Sequence, residues 1–189
     1  MVIVYTGVGK GKTTAALGLA LRAIGQGFKV LIIQFLKSSR AYGEIKAAQR
    51  LAPDLKIIQT GRDCVFGEKD PRRYDCPECD FLCHIDPASP SEGHRTAAGE
   101  GLRLAQKEIK SNRYQMVILD EINYAIAYGL VSLESVLSLI KEKPASLHLV
   151  LTGRDAKEEI IKEADLVTET LDIKHPFQKG IKSVRGVDL

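Results

Sequence analysis

The chain has 189 residues, of which 44% are hydrophobic and 27% are charged, and its formal net charge is +3. This composition is typical of a globular protein with a buried core, and it excludes intrinsic disorder as the main state. The longest apolar run, 28–36, is interrupted by Lys29 and Gln34 and is too short to span a membrane. The charges are mixed and form no basic block of the kind that binds nucleic acid. No charged leader precedes the first apolar run, so we expect a cytoplasmic protein.

Short apolar runs alternate with amphipathic stretches, a pattern that predicts strand–helix units and a parallel sheet. Strands are predicted at 2–6, 29–35, 55–59, 116–119, 147–151 and 166–169. Helices are predicted at 13–24, 41–51, 94–110, 132–142 and 155–164. We expect Gly25 and Gly27 to close the first helix and Ser132 to begin the fourth. The pattern indicates one α/β domain over 1–189, with helices on both faces of a mostly parallel sheet.

Residues 61–93 interrupt this alternation between a predicted strand and a predicted helix. They have few aliphatic side chains and contain every cysteine, together with Pro71, Pro77, Pro87 and Pro90. Loops of this length are usually functional or mobile. We therefore interpret 61–93 as a cysteine-bearing insertion within the domain.

The strongest functional signal is the run TGVGKGKTT at 6–14, which lies between a predicted strand and a predicted helix. This is the context of a P-loop, in which glycines let backbone N–H groups turn toward phosphate oxygens. Lys12 reaches the terminal phosphates and the Thr13 hydroxyl can ligate Mg²⁺. Thr6 stands where the strict pattern has glycine, so the match is a variant. The predicted nucleotide site consists of Gly7, Val8, Gly9, Lys10, Gly11, Lys12, Thr13 and Thr14.

A second element fits the first. Asp120 and Glu121 follow an apolar predicted strand, where a P-loop protein places a carboxylate near Mg²⁺. On its own this pattern is also common at solvent-facing or capping positions. Beside a P-loop it predicts a magnesium site made by Thr13, Asp120 and Glu121.

The four cysteines lie close together in the sequence, as Cys64, Cys76, Cys79 and Cys83. The Cys-x-x-Cys pair places two thiolates on one turn, which suits tetrahedral Zn²⁺ or an iron–sulfur cluster, and the other two complete a four-sulfur set. His84 is a candidate substitute for Cys64. The alternatives are reduced surface cysteines or a redox disulfide between Cys76 and Cys79.

Several motifs, in this order, resemble those of the P-loop ATP:corrinoid adenosyltransferases. They are TGVGKGKTTAALGLALRAIGQG, VLIIQFLK followed by Gly43-Glu44, VILDEINYAIAYGLV, LTGRDA and ADLVTETLDIKHPFQKGI. The resemblance covers most of the chain outside 61–93. It implies a P-loop NTPase-like, RecA-like fold.

The resemblance also implies the reaction. Co(I) of a reduced corrinoid attacks the 5′ carbon of ATP and expels triphosphate, in adenosylcobalamin biosynthesis or salvage. Lys12, the loop amides and Mg²⁺ would stabilise the charge on that leaving group. No protein nucleophile or general base is then needed, which agrees with the lack of a nucleophile–base pattern around His84, His94, His148 and His175. The implied partners are the corrinoid, a reductant such as a flavoprotein, and a second copy of the chain in a homodimer.

Residue by residue, the family's nucleotide loop maps onto 7–13 and its catalytic positions map onto Lys12, Thr13 and Glu121. Arg22 and Arg154 match positions that contact phosphate or corrinoid amides, although a solvated or ion-paired arginine is the alternative for both. Glu44 matches a family Gly-Glu pair that meets the nucleotide or the corrinoid. Residues 174–177 match the closing motif, in which His175 is either functional or structural.

Enzymes of this family carry aromatic residues after the third strand, over the lower face of the corrinoid. Here residues 60–66 read TGRDCVF, and only Phe66 is aromatic. We therefore hypothesise that the insertion, held by metal, forms a lid over the corrinoid, and that a cluster there would also pass an electron to Co(II).

Two other functions compete with this interpretation. One is a nucleoside or nucleotide kinase with a metal-binding lasso, and the other is a nucleotide-gated binding module. The segments 10–14 and 174–177 favour the adenosyltransferase, because the kinase does not require them.

Overall fold

The computed structural model describes residues 1–38, 42–61, 88–180 and 184–187. Its strands are β1 (Val2–Thr6), β2 (Val30–Phe35), β3 (Leu55–Thr60), β4 (Met116–Asp120), β5 (His148–Thr152) and β6 (Leu166–Glu169). Its helices are α1 (Lys12–Gly25), α2 (Gly43–Arg50), α3 (Glu92–Lys110), α4 (Ile122–Ala127), α5 (Leu133–Glu142) and α6 (Glu158–Glu163). A 3₁₀ helix spans Pro176–Lys179.

The strands form one parallel sheet in the order β3-β2-β4-β5-β1-β6, which confirms the predicted α/β class. Its central strands are buried on both faces, as continuous runs of aliphatic residues require. Each predicted strand lies within one residue of the observed bounds. The alternation of apolar runs was therefore sufficient to locate the sheet.

Helices cover both faces of the sheet. On one face Leu31 and Ile33 join a core completed by α3, α4 and α5. On the other, Val30 and Ile32 pack against α1, whose small buried residues Ala16, Ala20 and Ala23 allow a close approach. The alternation of side chains along β2 thus divides the core between the two faces.

The helix predictions were correct in outline and wrong at particular ends. Ser132 caps α5, accepting a hydrogen bond from the backbone N–H of Ser135, as expected. The helix α4 was not predicted, because a helix of six residues is too short to show a clear period. The helix predicted at 155–164 begins only at Glu158, since Asp155 has a φ of 55° and lies in a turn.

Most of the predicted insertion lies outside the described residues, which leave out 62–87, and the division of the chain at 61–93 remains a prediction. Glu92 and Gly93 belong to α3. Within the part of the chain that the structure describes, no helix is long and apolar enough to cross a membrane.

Candidate functional site

The P-loop connects the carboxyl end of β1 to the amino end of α1. Gly7 and Gly11 have φ values of 95° and 111°, in the left-handed region that glycine adopts without strain. The ammonium of the buried Lys12 donates to the carbonyl oxygens of Gly7 (2.7 Å) and Gly9 (2.6 Å). Burial lowers the pKa of Lys12 from its ordinary value. The loop therefore curls around its own lysine.

A second segment, at the end of β6, packs against the loop. The backbone N–H of Gly9 donates to the carbonyl of Thr170 (2.9 Å), and the Thr170 hydroxyl donates to the carbonyl of Gly9 (2.9 Å). A Cβ on Gly7 or Gly9 would collide with the backbone of Thr170 or Leu171. Gly7 and Gly9 thus permit this close approach, and Gly7 also permits the turn itself.

Asp120, at the end of β4, is the centre of a buried hydrogen-bond network. One carboxylate oxygen, Oδ1, accepts from the hydroxyls of Thr13 (2.9 Å) and Thr152 (2.7 Å). The other, Oδ2, accepts from Lys37 Nζ (2.8 Å) and Gln34 Nε2 (3.2 Å). Only 1% of the Asp120 side chain is exposed, so these donors replace the water that the carboxylate has lost.

This network joins side chains at the carboxyl ends of four strands, β2, β3, β4 and β5. The intervening strand β5 separates β1 from β4, which places them about 10 Å apart. Thr13, just inside α1, bridges that gap to Asp120. Gln34 extends the network outward by donating to Glu44 Oε1 (3.1 Å) and accepting from Gln59 Nε2 (3.0 Å).

Lys37 follows the end of β2 and supplies a positive charge to the network. Burial by itself would lower its pKa, but the neighbouring Asp120 raises the pKa above its ordinary value. The ammonium also lies 5.7 Å from the centre of the Tyr42 ring, within the range of a cation–π contact. Lys37 is therefore held as a cation beside Asp120.

Glu121 stands next to this network in an unusual backbone conformation, with a φ of 63°. Its N–H donates to the Thr152 hydroxyl (2.9 Å). Its side-chain Oε2 is buried without a hydrogen-bond partner. Burial raises the pKa of Glu121, and the adjacent Asp120 raises it further.

These residues fit a magnesium ion. The buried Oε2 of Glu121 has unused acceptor capacity, and Asp120 and Thr13 add hard oxygen atoms close by. Mg²⁺ prefers such oxygens and is normally held by one or two carboxylates together with waters and phosphates. No group of three or more His, Cys, Asp or Glu side chains within the described ranges is arranged to hold a metal by itself.

A cavity of about 890 Å³ opens above the network. The P-loop residues 8–14 form one wall, and Glu44, Glu121 and Arg154 contribute charged groups. Leu17, Leu21, Ala47 and Leu51 make an apolar wall between α1 and α2, and Asp172, His175 and Gln178 close the side near the chain's end. The volume lies toward the upper end of the range usual for ligand sites.

The tertiary structure brings together most of the predicted site residues. Apart from Gly7 and Asp120, which lie behind the surface, the predicted P-loop and magnesium residues line the cavity, together with Glu44 and Arg154. The Arg154 guanidinium stacks 6.0 Å from the Tyr124 ring. Arg22 is exposed in the last turn of α1 and is not among the described residues that line the cavity.

The predicted metal site of Cys64, Cys76, Cys79 and Cys83, with His84, lies outside the described residues. So does Phe66, and with it the predicted lid. Of the other histidines, His175 lines the cavity, whereas His94 is buried beside Ser91 and His148 stacks on Phe28.

The residues of the site that were not predicted include Gln34, Lys37, Thr152 and Thr170. Gln34 had a visible signal, because it is the polar residue inside a predicted buried strand. Lys37 and Thr152 stand where predicted strands end, which is where parallel sheets place functional groups. Nothing in the local pattern marked Thr170.

Comparison with known proteins identifies the family to which the chain belongs. Residues 1–189 match the family described as ATP:corrinoid adenosyltransferase BtuR/CobO/CobP. A corrinoid adenosyltransferase of Sinorhizobium is 36% identical over 189 residues, which cover 100% of this chain and 79% of that protein. The corrinoid adenosyltransferase CobA of Salmonella typhimurium is 34% identical over 188 residues, covering 100% of this chain and 85% of that protein.

Among solved structures, the KaiC-like protein PH0186 of Pyrococcus horikoshii is similar in fold. The TM-score is 0.50 at 14% sequence identity, and the match covers 89% of this chain and 71% of that protein. The likeness supports an α/β, P-loop-like fold for this chain.

Proposed function

Since the chain belongs to the ATP:corrinoid adenosyltransferase family, we propose which of its residues bind and stabilise each part of the reacting substrates. The chain is a transferase that adenosylates corrinoids with ATP, in the biosynthesis or salvage of cobalamin. In this reaction the electron pair of Co(I) forms a bond to the 5′ carbon of ATP. The bond from that carbon to oxygen breaks, and triphosphate leaves with its electrons.

One observation carries the proposal: the P-loop, Glu121 and Arg154 line the same cavity. The reaction creates charge on the departing triphosphate, so groups that bind the anion more tightly as it leaves lower the barrier. Lys12 and the N–H groups at the start of α1 are suited to this role. Arg154, which also lines the cavity, would add a second cation.

Lys12 would change partners when ATP binds. Its ammonium donates to Gly7 and Gly9, two neutral carbonyls. The oxygens of the triphosphate carry negative charge, so they attract the ammonium more strongly than neutral carbonyl oxygens do. We therefore expect the triphosphate to draw the ammonium out of the loop.

Thr13, Asp120 and Glu121 would hold Mg²⁺ beside the triphosphate. The ion would neutralise charge on the phosphate oxygens. Asp120 would position Thr13, whose hydroxyl donates to its Oδ1, and would offer the ion its Oδ2, which accepts from Lys37 in the absence of nucleotide. Glu121 would approach the ion more directly, because its Oε2 has no hydrogen-bond partner in the described structure.

The apolar and acidic walls of the cavity suit the parts of the substrates other than the triphosphate. The apolar surface of Leu17, Leu21, Ala47 and Leu51 would cover a planar or aliphatic portion of a ligand. Glu44 lines the cavity and accepts a hydrogen bond from Gln34. We propose that it meets the nucleotide or the amide side chains of the corrinoid.

The direct test is anaerobic incubation with ATP, Mg²⁺ and chemically reduced cobalamin, followed by the absorbance change of alkylation. Lys12→Met should slow the reaction strongly. Lys56→Met, which changes an exposed lysine on β3 that does not line the cavity, should leave it unchanged. No alkylation, with a nucleoside phosphorylated instead, would move the assignment to the kinase.

We also propose, on the strength of the family, a cytoplasmic location, a homodimer and a flavoprotein-type reductant. Analytical ultracentrifugation tests the dimer. Replacing the chemical reductant with a reduced flavoprotein in the same assay tests the reductant.

A further inference from the structure

Lys37 lies among the oxygen atoms that suit a metal ion. Its Nζ is 2.8 Å from Asp120 Oδ2 and 3.4 Å from Thr13 Oγ1. Both residues belong to the proposed magnesium site. The Lys37 ammonium and a divalent cation therefore compete for the same oxygen atoms. Because both are positive, they would repel each other if both were bound there.

The fold fixes this lysine from both sides. Leu36, the residue before it, has a φ of 63°, which turns the chain sharply at the end of β2. The backbone N–H of Gly61 donates to the Lys37 carbonyl (2.8 Å), and a Cβ on Gly61 would collide with the Lys37 backbone. Together with the Tyr42 ring, these contacts hold Lys37 over the network rather than in solvent.

The charges explain why a cation is needed there. Asp120 is buried, Glu121 is adjacent, and Glu44 is linked to Asp120 through Gln34. A buried carboxylate without a partner is strongly destabilising. Lys37 supplies the positive charge in the protein free of nucleotide.

We propose that Lys37 is a built-in cation that holds the metal position until the metal–nucleotide complex arrives, an inference that rests on the proposed function. A free divalent ion must displace the ammonium from Asp120 and brings no oxygen atom to receive it. Magnesium bound to ATP displaces it too, but brings phosphate oxygens that receive it, since Lys37 also lines the cavity. The site therefore takes up the metal with its nucleotide and discriminates against the free ion.

The test measures Mn²⁺ binding to the nucleotide-free protein by electron paramagnetic resonance. If the ammonium is docked on Asp120 in about nine-tenths of molecules, its removal should tighten Mn²⁺ binding about tenfold. Lys37→Met and Lys37→Gln should both show this gain. Lys37→Arg, which keeps the charge, and the surface control Lys56→Met should bind Mn²⁺ as weakly as the wild type.

Thermal unfolding gives a second readout. Mn²⁺ should raise the Tm of Lys37→Gln more than that of the wild type, because the ion replaces the missing charge. The glutamine variant keeps a hydrogen-bond donor toward Asp120 and remains informative if the methionine variant does not fold.

Unchanged or weaker Mn²⁺ binding in Lys37→Gln would overturn the proposal, as would tighter binding in Lys37→Arg. Neither measurement uses a corrinoid or turnover. Failure of the adenosylation assay would therefore leave this result intact, and failure here would leave the proposed reaction intact.

Discussion

Replacing Asp120 by asparagine keeps the shape of the central side chain and removes its charge. An amide presents one acceptor and one donor, whereas the carboxylate accepts on both sides. If the amide oxygen faces Thr13 and Thr152, its NH₂ group faces Lys37 Nζ and Gln34 Nε2, which are themselves donors. In the variant, the NH₂ group therefore faces two other hydrogen-bond donors. The Lys37 ammonium also loses the negative charge with which it was paired.

The expected loss of unfolding free energy follows from the burial of the Lys37–Asp120 ion pair. Removing one partner of a buried ion pair costs about 3–5 kcal/mol. Because Lys37 keeps 18% of its side chain exposed, water partly compensates, and we expect the lower end, about 3 kcal/mol. For a domain of this size that is a fall in Tm of roughly 6–12 °C.

A matched control exists on the surface. Lys110 and Glu142 are also separated by 2.8 Å, but their side chains are 63% and 57% exposed. Glu142→Gln should therefore cost less than about 1 kcal/mol. Both variants are compared with the wild type by urea denaturation without nucleotide, in the presence of a chelator. Equal losses in the two variants would refute the assignment of Asp120 as a buried charged centre.

Three further predictions follow from single contacts. Gly9→Ala should lose about 1–3 kcal/mol of unfolding free energy, because its Cβ meets the Leu171 backbone. Gly18→Ala, with open space around it, should gain up to about 1 kcal/mol, and equal stabilities of the two variants would contradict this packing. Thr152→Val should cost about 1–3 kcal/mol, since it removes a hydroxyl that bonds Asp120 and the N–H of Glu121, and Thr152→Ser should restore most of it in the same denaturation assay. Burial lowers the pKa of His148 below 6.5, so the unfolded chain binds the proton more readily and the free energy of unfolding should fall as the pH drops below 6.5. In His148→Phe the denaturation midpoint should lose this part of its pH dependence. A variant with the same pH slope as the wild type would contradict the assignment.

Local sequence was sufficient for the strands and for the phosphate loop. The central strands are short, nearly continuous aliphatic runs, which is the pattern of buried parallel strands. The loop at 6–14 is likewise a local object, because its glycines, lysine and threonines act within one turn of each other. The resemblance to the family was carried by such contiguous motifs, and the comparison with relatives confirmed it.

Short and irregular elements were harder to predict. The helix α4 is one and a half turns long, and its existence depends on packing Ile122 and Ala125 into the core beside β5. The late start of α6 depends on the turn at Gly153 and Asp155, both with positive φ. The helix propensity of a few residues is a weak signal, and tertiary packing decides the structure of such short segments.

The centre of the site was decided by the tertiary structure. Asp120 and Thr13 were predicted together, but their partners Lys37 and Thr152 come from other strands, and Thr170 is 161 residues from the glycine it bonds. Which strands become neighbours depends on the order of the whole sheet, and that order is set by long-range packing rather than by any local pattern. The sequence by itself thus determined a nucleotide-binding α/β chain of a known family, whereas only the fold placed a lysine at the proposed metal position.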